Sequence, residues 1–194
     1  RVWLSEIMLQ QTQVVTVLGY YERFLARCPT VADLAAAPAD EVMALWSGLG
    51  YYSRARNLHT CAQQVVARFG GVFPSTSAEL QTLPGIGPST AAAIAAFCFG
   101  ERISIMDGNV KRVLSRALGF DGDLAQAGNE RALSALAQAL VPADADHAAM
   151  ASYTQGLMDL GATLCVRGKP ACPRCPLATR CVALAEDRVS ELPV

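Results

Sequence analysis

The chain has 194 residues, and 52% of them are hydrophobic, so it can bury the core of one domain or of two small lobes. Its formal net charge of −1 excludes a nucleic-acid binder that depends on bulk positive charge, although it allows a local basic surface. The longest apolar stretch, residues 90–100, is too short to span a bilayer, and no charged-then-apolar leader opens the chain. We therefore expect a protein that is neither secreted nor bound to a membrane.

Apolar residues recur at a spacing near 3.6, and alternating β-branched runs are almost absent, so the sequence predicts an all-α fold. The first predicted helix covers residues 2–27, with an apolar face that includes Val15 and Leu18 and an end at Cys28-Pro29. Thr76 and Glu79 have the spacing of a capping box for a helix that ends at Leu83. The other predicted helices cover residues 30–36, 39–46, 52–69, 88–99, 107–118, 130–140 and 148–164.

A glycine-containing hairpin, LPGIGP at residues 83–88, precedes the Ala-rich helix. Gly85 and Gly87 would let backbone N–H groups converge at a helix N-terminus, which is an anion pocket that holds phosphate independently of base sequence. An ordinary tight turn between two helices explains the same residues, and the sequence of the hairpin by itself leaves both interpretations open.

Four cysteines near the C-terminal end have the spacing of one metal site. Six, two and five residues separate Cys165, Cys172, Cys175 and Cys181. Thiolates select iron–sulfur clusters or zinc, and a single Cys-x-x-Cys pair favours a [4Fe-4S] cluster over zinc and over two disulfides. The remaining cysteines lie in apolar helical segments and are predicted to be core residues: Cys28, Cys61 and Cys98. Free thiols and an oxidisable metal site together indicate a reducing compartment such as a bacterial-type cytoplasm.

Sequence motifs along the chain resemble those of a DNA repair family. The hairpin with its small-residue helix resembles the helix-hairpin-helix of base-excision DNA glycosylases, a superfamily that includes endonuclease III. WLSEIMLQQT at residues 3–12, GLGYYSRARNL at 48–58, MDGNVKR at 106–112 and the cysteine spacing are similar to the adenine DNA glycosylase (MutY) family. The resemblance implies a helical barrel lobe with the hairpin at residues 1–102, and a second helical lobe with the catalytic Asp and the [4Fe-4S] cluster at residues 103–194.

By the same resemblance, the expected function is removal of adenine mispaired with 8-oxoguanine or guanine in double-stranded DNA, by a monomer associated with the nucleoid. Breaking the N-glycosidic bond requires protonation of the departing base and a negative group beside the oxocarbenium-like sugar. Glu6 stands in an apolar segment that would raise its pKa, and Asp107 precedes a helix. Taken alone, Glu6 is better interpreted as a solvent-facing residue of an amphipathic helix, and Asp107 as an N-cap. The resemblance implies that Glu6 protonates the adenine and that Asp107 stabilises the sugar cation.

Ser89 distinguishes two subclasses of the superfamily. Endonuclease III has at this position a lysine that forms a Schiff base and cleaves the strand, which a serine cannot do. The chain is therefore expected to be a monofunctional glycosylase. Lys111 lies close to Asp107 in sequence and is expected to contact phosphate or the surface.

The resemblance also implies residues that bind the DNA. Base excision requires the nucleotide to be extruded and the gap to be filled or wedged. Gln11, Leu49 and Tyr51 resemble the wedge and gap-filling residues. The other expected contacts are Gln10, which favours adenine, Gln155 in the adenine pocket, Arg54 on phosphate, and Gly85, Gly87, Ser89 and Lys111.

Two parts of the family pattern are missing from this sequence. One is a segment upstream of residue 3 that forms part of the adenine pocket, and the other is a C-terminal domain that recognises 8-oxoguanine. We therefore expect either an excised catalytic core or a natural short form. Two rival functions stay open: a thymine or uracil mismatch glycosylase of the same superfamily, and a non-catalytic iron–sulfur DNA-binding module. The pair of carboxylates, Glu6 and Asp107, disfavours the second rival.

Overall fold

The computed structural model describes residues 1–194, and every regular element in it is helical, which confirms the predicted all-α fold. The chain forms two compact units, Arg1–Phe99 and Gly100–Val194. Its helices are all too short or too polar to traverse a lipid bilayer.

Seven helices build the first unit. They are α1 (Val2–Leu9), α2 (Val14–Arg27), α3 (Val31–Ala36), α4 (Ala39–Trp46), α5 (Ser53–Phe69), α6 (Ser77–Leu80) and α7 (Pro88–Phe99). Helix α1 packs against α2, α5 and α7, so it lies at the centre of the unit. Six consecutive residues of α7, Ala91 to Ala96, are buried, and their mostly small side chains allow neighbouring helices to approach closely.

The prediction of one helix over residues 2–27 is wrong. The helix ends at Leu9 and a new one begins at Val14, with Gln11 between them in the left-handed region at φ 54°. This break changes which face of the second helix is buried, because the 3.6-residue period starts again after it. As a result Val15 and Leu18, predicted on the apolar face, are 75% and 55% exposed.

Other predicted helix boundaries also shift, and the helix predicted to begin at residue 130 begins at Ala127. Helix α6 ends at Leu80, not at Leu83, although Thr76 caps it as predicted by accepting a hydrogen bond from the Glu79 N–H at 3.3 Å. The helix predicted over residues 148–164 ends at Asp159 and continues as a π-helical turn.

The second unit is built around its first helix. Its elements are α8 (Gly108–Leu118), α9 (Ala127–Ala139), α10 (His147–Asp159), the π-helical turn (Leu160–Leu164), two 3₁₀ turns (Cys172–Arg174 and Ala178–Arg180) and α11 (Val182–Ala185). Helix α8 packs against α9, α10, α11 and the π-helical turn. The two predicted catalytic carboxylates therefore lie on different units. Glu6 is on α1 of the first unit, and Asp107 caps α8 of the second.

Candidate active site and cysteine cavity

Glu6 lies on the apolar central helix of the first unit. Its neighbours Trp3, Leu4, Ile7 and Met8 are each no more than 7% exposed, while Glu6 itself is half-buried. A carboxyl group in such surroundings is partly shielded from water. This is the environment that a proton-donating acid requires at neutral pH.

Asp107 is the N-cap of α8, as predicted. Its Oδ1 accepts a hydrogen bond from the Val110 N–H at 2.7 Å, and its backbone is extended at φ −77° and ψ 172°. The side chain is half-buried. A cap of this kind fixes the orientation of the carboxylate, so the capping role is compatible with a catalytic one.

The hairpin between α6 and α7 turns its apolar side chains inward and its glycines outward. Leu83 and Ile86 are 3% and 5% exposed, whereas Gly85 and Gly87 are exposed. Gly85 has a φ of 76°, and a Cβ at this position would stand 2.8 Å from the Cβ of Asn57. The hairpin therefore presents backbone, rather than side chains, at the start of α7.

Ser89 and Thr90 occupy the first turn of α7 and are half-buried. The Nε2 of Gln10 donates to Thr90 Oγ1 at 3.3 Å, so the end of α1 and the start of α7 are linked by side chains. The structure thus brings Gln10, Ser89 and the hairpin together in the first unit.

Arg54 does not have the role predicted for it. Its residue exposure is only 8%, and Nη1 donates to the carbonyl oxygens of Met8 and Gln10 at 2.8 and 2.7 Å. Nη2 donates to Thr12 Oγ1 at 3.1 Å. A guanidinium buried among internal acceptors is not available to a phosphate, so the prediction of a phosphate contact is wrong for this structure.

The three predicted wedge and gap-filling residues differ in exposure. Leu49 is 6% exposed and packs in the core of the first unit, so it is the least accessible of the three. Tyr51 is 60% exposed and Gln11 is also exposed, and both have a positive φ, at 49° and 54°. Gln11 and Tyr51 therefore remain the accessible members of the set.

Lys111 and Gln155 make contacts within the second unit. Lys111 forms an ion pair with Glu130, and the bond and charge of Lys111 lower the pKa of the Glu130 carboxyl. The exposed Gln155 donates from Nε2 to Asp159 Oδ1 at 2.8 Å. Neither contact closes the side chain off from solvent.

The four predicted metal ligands line a single cavity, together with Arg116 and apolar side chains such as Leu164 and Leu184. All four cysteines are free and half-buried, so the disulfide alternative is not what the structure shows. Burial, followed by the charges of the other three thiols, raises the pKa of Cys172, which reflects how closely the four groups approach. No group of three His, Cys, Asp or Glu side chains is arranged to hold a single metal ion. Four thiols around one apolar cavity nevertheless match the donor chemistry of an iron–sulfur cluster.

Two arginines of α8 hold the cysteine loop, and sequence reasoning missed both roles. Arg112 donates to the carbonyl oxygens of Cys165 and Gly161 at 2.7 and 2.8 Å, and to Asn109 Oδ1 at 2.9 Å. Arg116, which is 3% exposed, donates to the Val166 carbonyl at 2.9 Å and to Cys165 Sγ at 3.5 Å. Their spacing of four residues on one helix face was the available signal.

Two compact helical units, a glycine hairpin at the start of an Ala-rich helix and a downstream four-cysteine cavity are the features of a helix-hairpin-helix fold. The model of the HhH-GPD superfamily of base excision DNA repair proteins matches residues 4–142, and the chain belongs to that family.

Curated relatives and solved structures extend this assignment. The chain is 45% identical to an adenine DNA glycosylase of Rattus norvegicus over 99% of its own length and 37% of that protein, and 46% identical to one of Homo sapiens over 94% and 33%. It is 39% identical to an adenine DNA glycosylase of Buchnera aphidicola over 100% of its length and 54% of that protein. The chain thus spans between about a third and a half of these relatives.

Among solved structures, a thermostable thymine-DNA glycosylase superposes with a TM-score of 0.83 at 29% identity, covering 95% of this chain and 83% of that one. An endonuclease III–DNA complex superposes with a TM-score of 0.76 at 23% identity, covering 96% and 84%, and supports the fold.

Proposed function

We propose that the chain is the catalytic part of an adenine DNA glycosylase, which hydrolyses the N-glycosidic bond of adenine mispaired with 8-oxoguanine or guanine. The observation that carries the proposal is the environment of the two carboxylates. Glu6 is half-buried on an apolar helix, and Asp107 is fixed by its own helix cap. The relatives named adenine DNA glycosylases support adenine as the target base.

The two carboxyl groups have different tasks in this reaction. Glu6 in its protonated form gives its proton to the departing adenine, which lowers the barrier to breaking the bond between base and sugar. Asp107 in its ionised form stabilises the positive charge that develops on the sugar. Water then adds a hydroxyl group to the anomeric carbon, and its second proton restores Glu6. The products are free adenine and an abasic site.

Ser89 limits the reaction to hydrolysis. Its hydroxyl lies in the first turn of α7, and a hydroxyl cannot form the imine that leads to strand cleavage. The exposed backbone of Gly85 and Gly87 binds a DNA phosphate beside it. We place the enzyme as a monomer on double-stranded DNA in a bacterial-type cytoplasm, associated with the nucleoid.

Cys165, Cys172, Cys175 and Cys181 would hold a [4Fe-4S] cluster in the cavity that they line. When bound, such a cluster supplies four covalent crosslinks to a loop that has few helical residues of its own. The buried guanidinium of Arg116, which donates to Cys165 Sγ, offsets part of the negative charge of four thiolates.

A thymine mismatch glycosylase is the second candidate, because the thermostable thymine-DNA glycosylase has a similar fold over 95% of this chain. Single-turnover excision separates the two candidates, using duplexes with A or T opposite 8-oxoguanine or guanine and alkali to reveal abasic sites. We expect excision of A. Excision of T alone would overturn the adenine proposal in favour of the second candidate.

Near-isosteric variants test the two carboxylates. Glu6→Gln and Asp107→Asn should each fold while base excision falls by at least about 10²-fold, the scale of a lost general acid or positioned charge. Asp146→Asn is the matched control for Asp107, because Asp146 caps α10 through the Ala149 N–H at 2.8 Å in the same way. Excision at the wild-type rate by Asp107→Asn would return that residue to capping alone.

A further inference from the structure

A single buried guanidinium joins two loops of the first unit. One loop, residues 10–13, connects α1 to α2, and the other, residues 47–52, connects α4 to α5. Arg54 reaches the first through the Gln10 carbonyl and Thr12 Oγ1, at 2.7 and 3.1 Å. It reaches the second through the Leu49 and Gly50 carbonyls, at 3.4 and 3.3 Å.

Arg54 also completes the C-terminal end of α1. The carbonyl groups of the last helical turn have no intrahelical partner, and Nη1 donates to those of Ile7 and Met8 at 3.2 and 2.8 Å. A cation at a helix C-terminus is favoured by the helix dipole. The same residue thus fixes the end of the helix that carries Glu6.

Both loops that Arg54 holds contain a residue in a conformation that L-residues rarely adopt. Gln11 and Tyr51 have φ angles of 54° and 49°. Such conformations cost free energy and persist where the surrounding structure imposes them. The Arg54 guanidinium carbon also lies 5.2 Å from the ring centroids of both Trp46 and Tyr51, so it stands against the Tyr51 ring as well as the backbone of its loop.

We propose that Arg54 is a positioning residue that holds Gln11 and Tyr51 ready to enter the DNA stack when the target base is extruded. An exposed aromatic ring on a fixed backbone is suited to stack on bases, and a side chain that fills the gap opposes return of the base. This role rests on the proposed glycosylase function. It is distinct from phosphate binding, because the guanidinium is turned away from solvent.

The test compares substrates that differ in the cost of extrusion. Arg54→Lys keeps the charge but replaces a planar fork of five donors by three donors at one point, so it cannot bond both loops. Its single-turnover rate should fall by about 10- to 100-fold on adenine paired with 8-oxoguanine, the scale of a misplaced positioning group. On adenine opposite an abasic site, which is already unpaired, the loss should be several-fold smaller.

A purely structural role predicts a different result, because a smaller folded fraction would lower both rates by the same factor. Equal losses on the two substrates, or none, would therefore overturn the proposal. Arg23→Lys is the matched control, since exposed Arg23 also lies over a tyrosine ring, at 4.4 Å from Tyr20, and donates to a carbonyl, that of Gly19. The control should excise both substrates at the wild-type rate.

A double-mutant cycle tests whether Arg54 acts through Tyr51. If it does, Arg54→Lys should cost clearly less in a Tyr51→Ala background than in the wild type. Additive losses would contradict this route. Thr12→Val removes one of the Arg54 acceptors and provides a milder variant, expected to change the substrate ratio in the same direction if Arg54→Lys does not fold.

Hydrogen exchange supplies a readout that does not depend on activity. Arg54→Lys should raise amide exchange in residues 10–13 and 47–52 together, while α3 remains protected as in the wild type. If the wild-type chain excises no base from any duplex, the proposed function fails, and exchange still decides whether Arg54 joins the two loops. Unchanged exchange in either loop would overturn the inference.

Discussion

Replacing Gly85 by alanine should destabilise the hairpin strongly, for two reasons that the structure supplies. The φ of 76° places an L-residue in the left-handed region, at a cost of about 1–2 kcal/mol. The new Cβ would also stand 2.8 Å from the Cβ of Asn57. That atom is attached directly to the backbone of α5 and cannot swing away, so the crowding costs about 1–3 kcal/mol more.

Together these costs, reduced slightly by the lower entropy of the unfolded alanine chain, amount to about 2–4 kcal/mol. For a chain of this length each kcal/mol lowers the melting temperature by about 2–4 °C, so we expect a decrease of about 4–16 °C. Thermal unfolding followed by circular dichroism measures it.

Gly87→Ala is the matched control within the same hairpin. No heavy atom lies within 4 Å of a Cβ at Gly87, and its φ is not positive, so stability should change by no more than about 0.5 kcal/mol. Its methyl group would nevertheless crowd a phosphate at the exposed backbone. Fluorescence anisotropy should show weaker binding to matched and mismatched duplexes alike, because a backbone pocket carries no sequence information.

The reasoning is refuted if Gly85→Ala melts at the wild-type temperature, or if Gly87→Ala is the less stable of the two variants. A loss of binding by Gly87→Ala confined to mismatched duplexes would show that the hairpin contacts the mismatch itself.

Three further predictions concern single side chains. Ser89→Lys should add heat-independent strand cleavage and borohydride trapping through its new amine. The wild type should leave abasic sites that break only after alkali. Nicking by the wild type that survives Lys111→Ala would contradict the assignment as a monofunctional glycosylase. The purified protein should contain about four irons per chain and absorb broadly near ~400 nm. Cys172→Ser should lose both signals. Zinc in place of iron in the wild type would refute the predicted cluster. Burial raises the pKa of Cys61 to about 12, so at pH 8 only about one thiol in 10⁴ is ionised, and iodoacetamide should modify Cys61 only after unfolding, as mass spectrometry would show.

Local signals were sufficient for many elements of the fold. Helix α4 occupies the predicted residues 39–46, and α7 begins at Pro88 after the hairpin. Asp107 caps α8 as its side-chain chemistry indicates. In each case the residue that starts or stops the helix is adjacent to it in sequence, so a single sequence contains the information.

The break between α1 and α2 has no such signal. Residues 10–13 are all polar but contain neither Gly nor Pro, and apolar residues resume directly after them at Val14. The loop instead meets Arg54, more than forty residues away, whose guanidinium binds the Gln10 carbonyl and Thr12 Oγ1. A helix boundary held by a distant side chain cannot be read from neighbouring residues.

The candidate site likewise contains features that the sequence predicts and features that depend on tertiary contacts. The spacing of the four cysteines was sufficient to predict that they line one cavity, because clustered thiolates bind only a few kinds of metal centre. The roles of Arg54 and Arg116 were missed because their partners are mainly backbone carbonyls, which every residue carries. Only the tertiary approach of the chain determines which carbonyls an arginine meets.

Gly161 has a consequence for how sequence variants of this protein are interpreted. A Cβ there would stand 2.6 Å from the Cβ of Asn109 and 2.9 Å from its carbonyl oxygen, in the first turn of α8. Asn109 is two residues from Asp107, so any larger side chain at position 161 displaces the segment that orients this carboxylate. A substitution of this glycine, 54 positions from Asp107 along the sequence, would therefore be expected to resemble a substitution of the proposed catalytic carboxylate itself in a genetic screen.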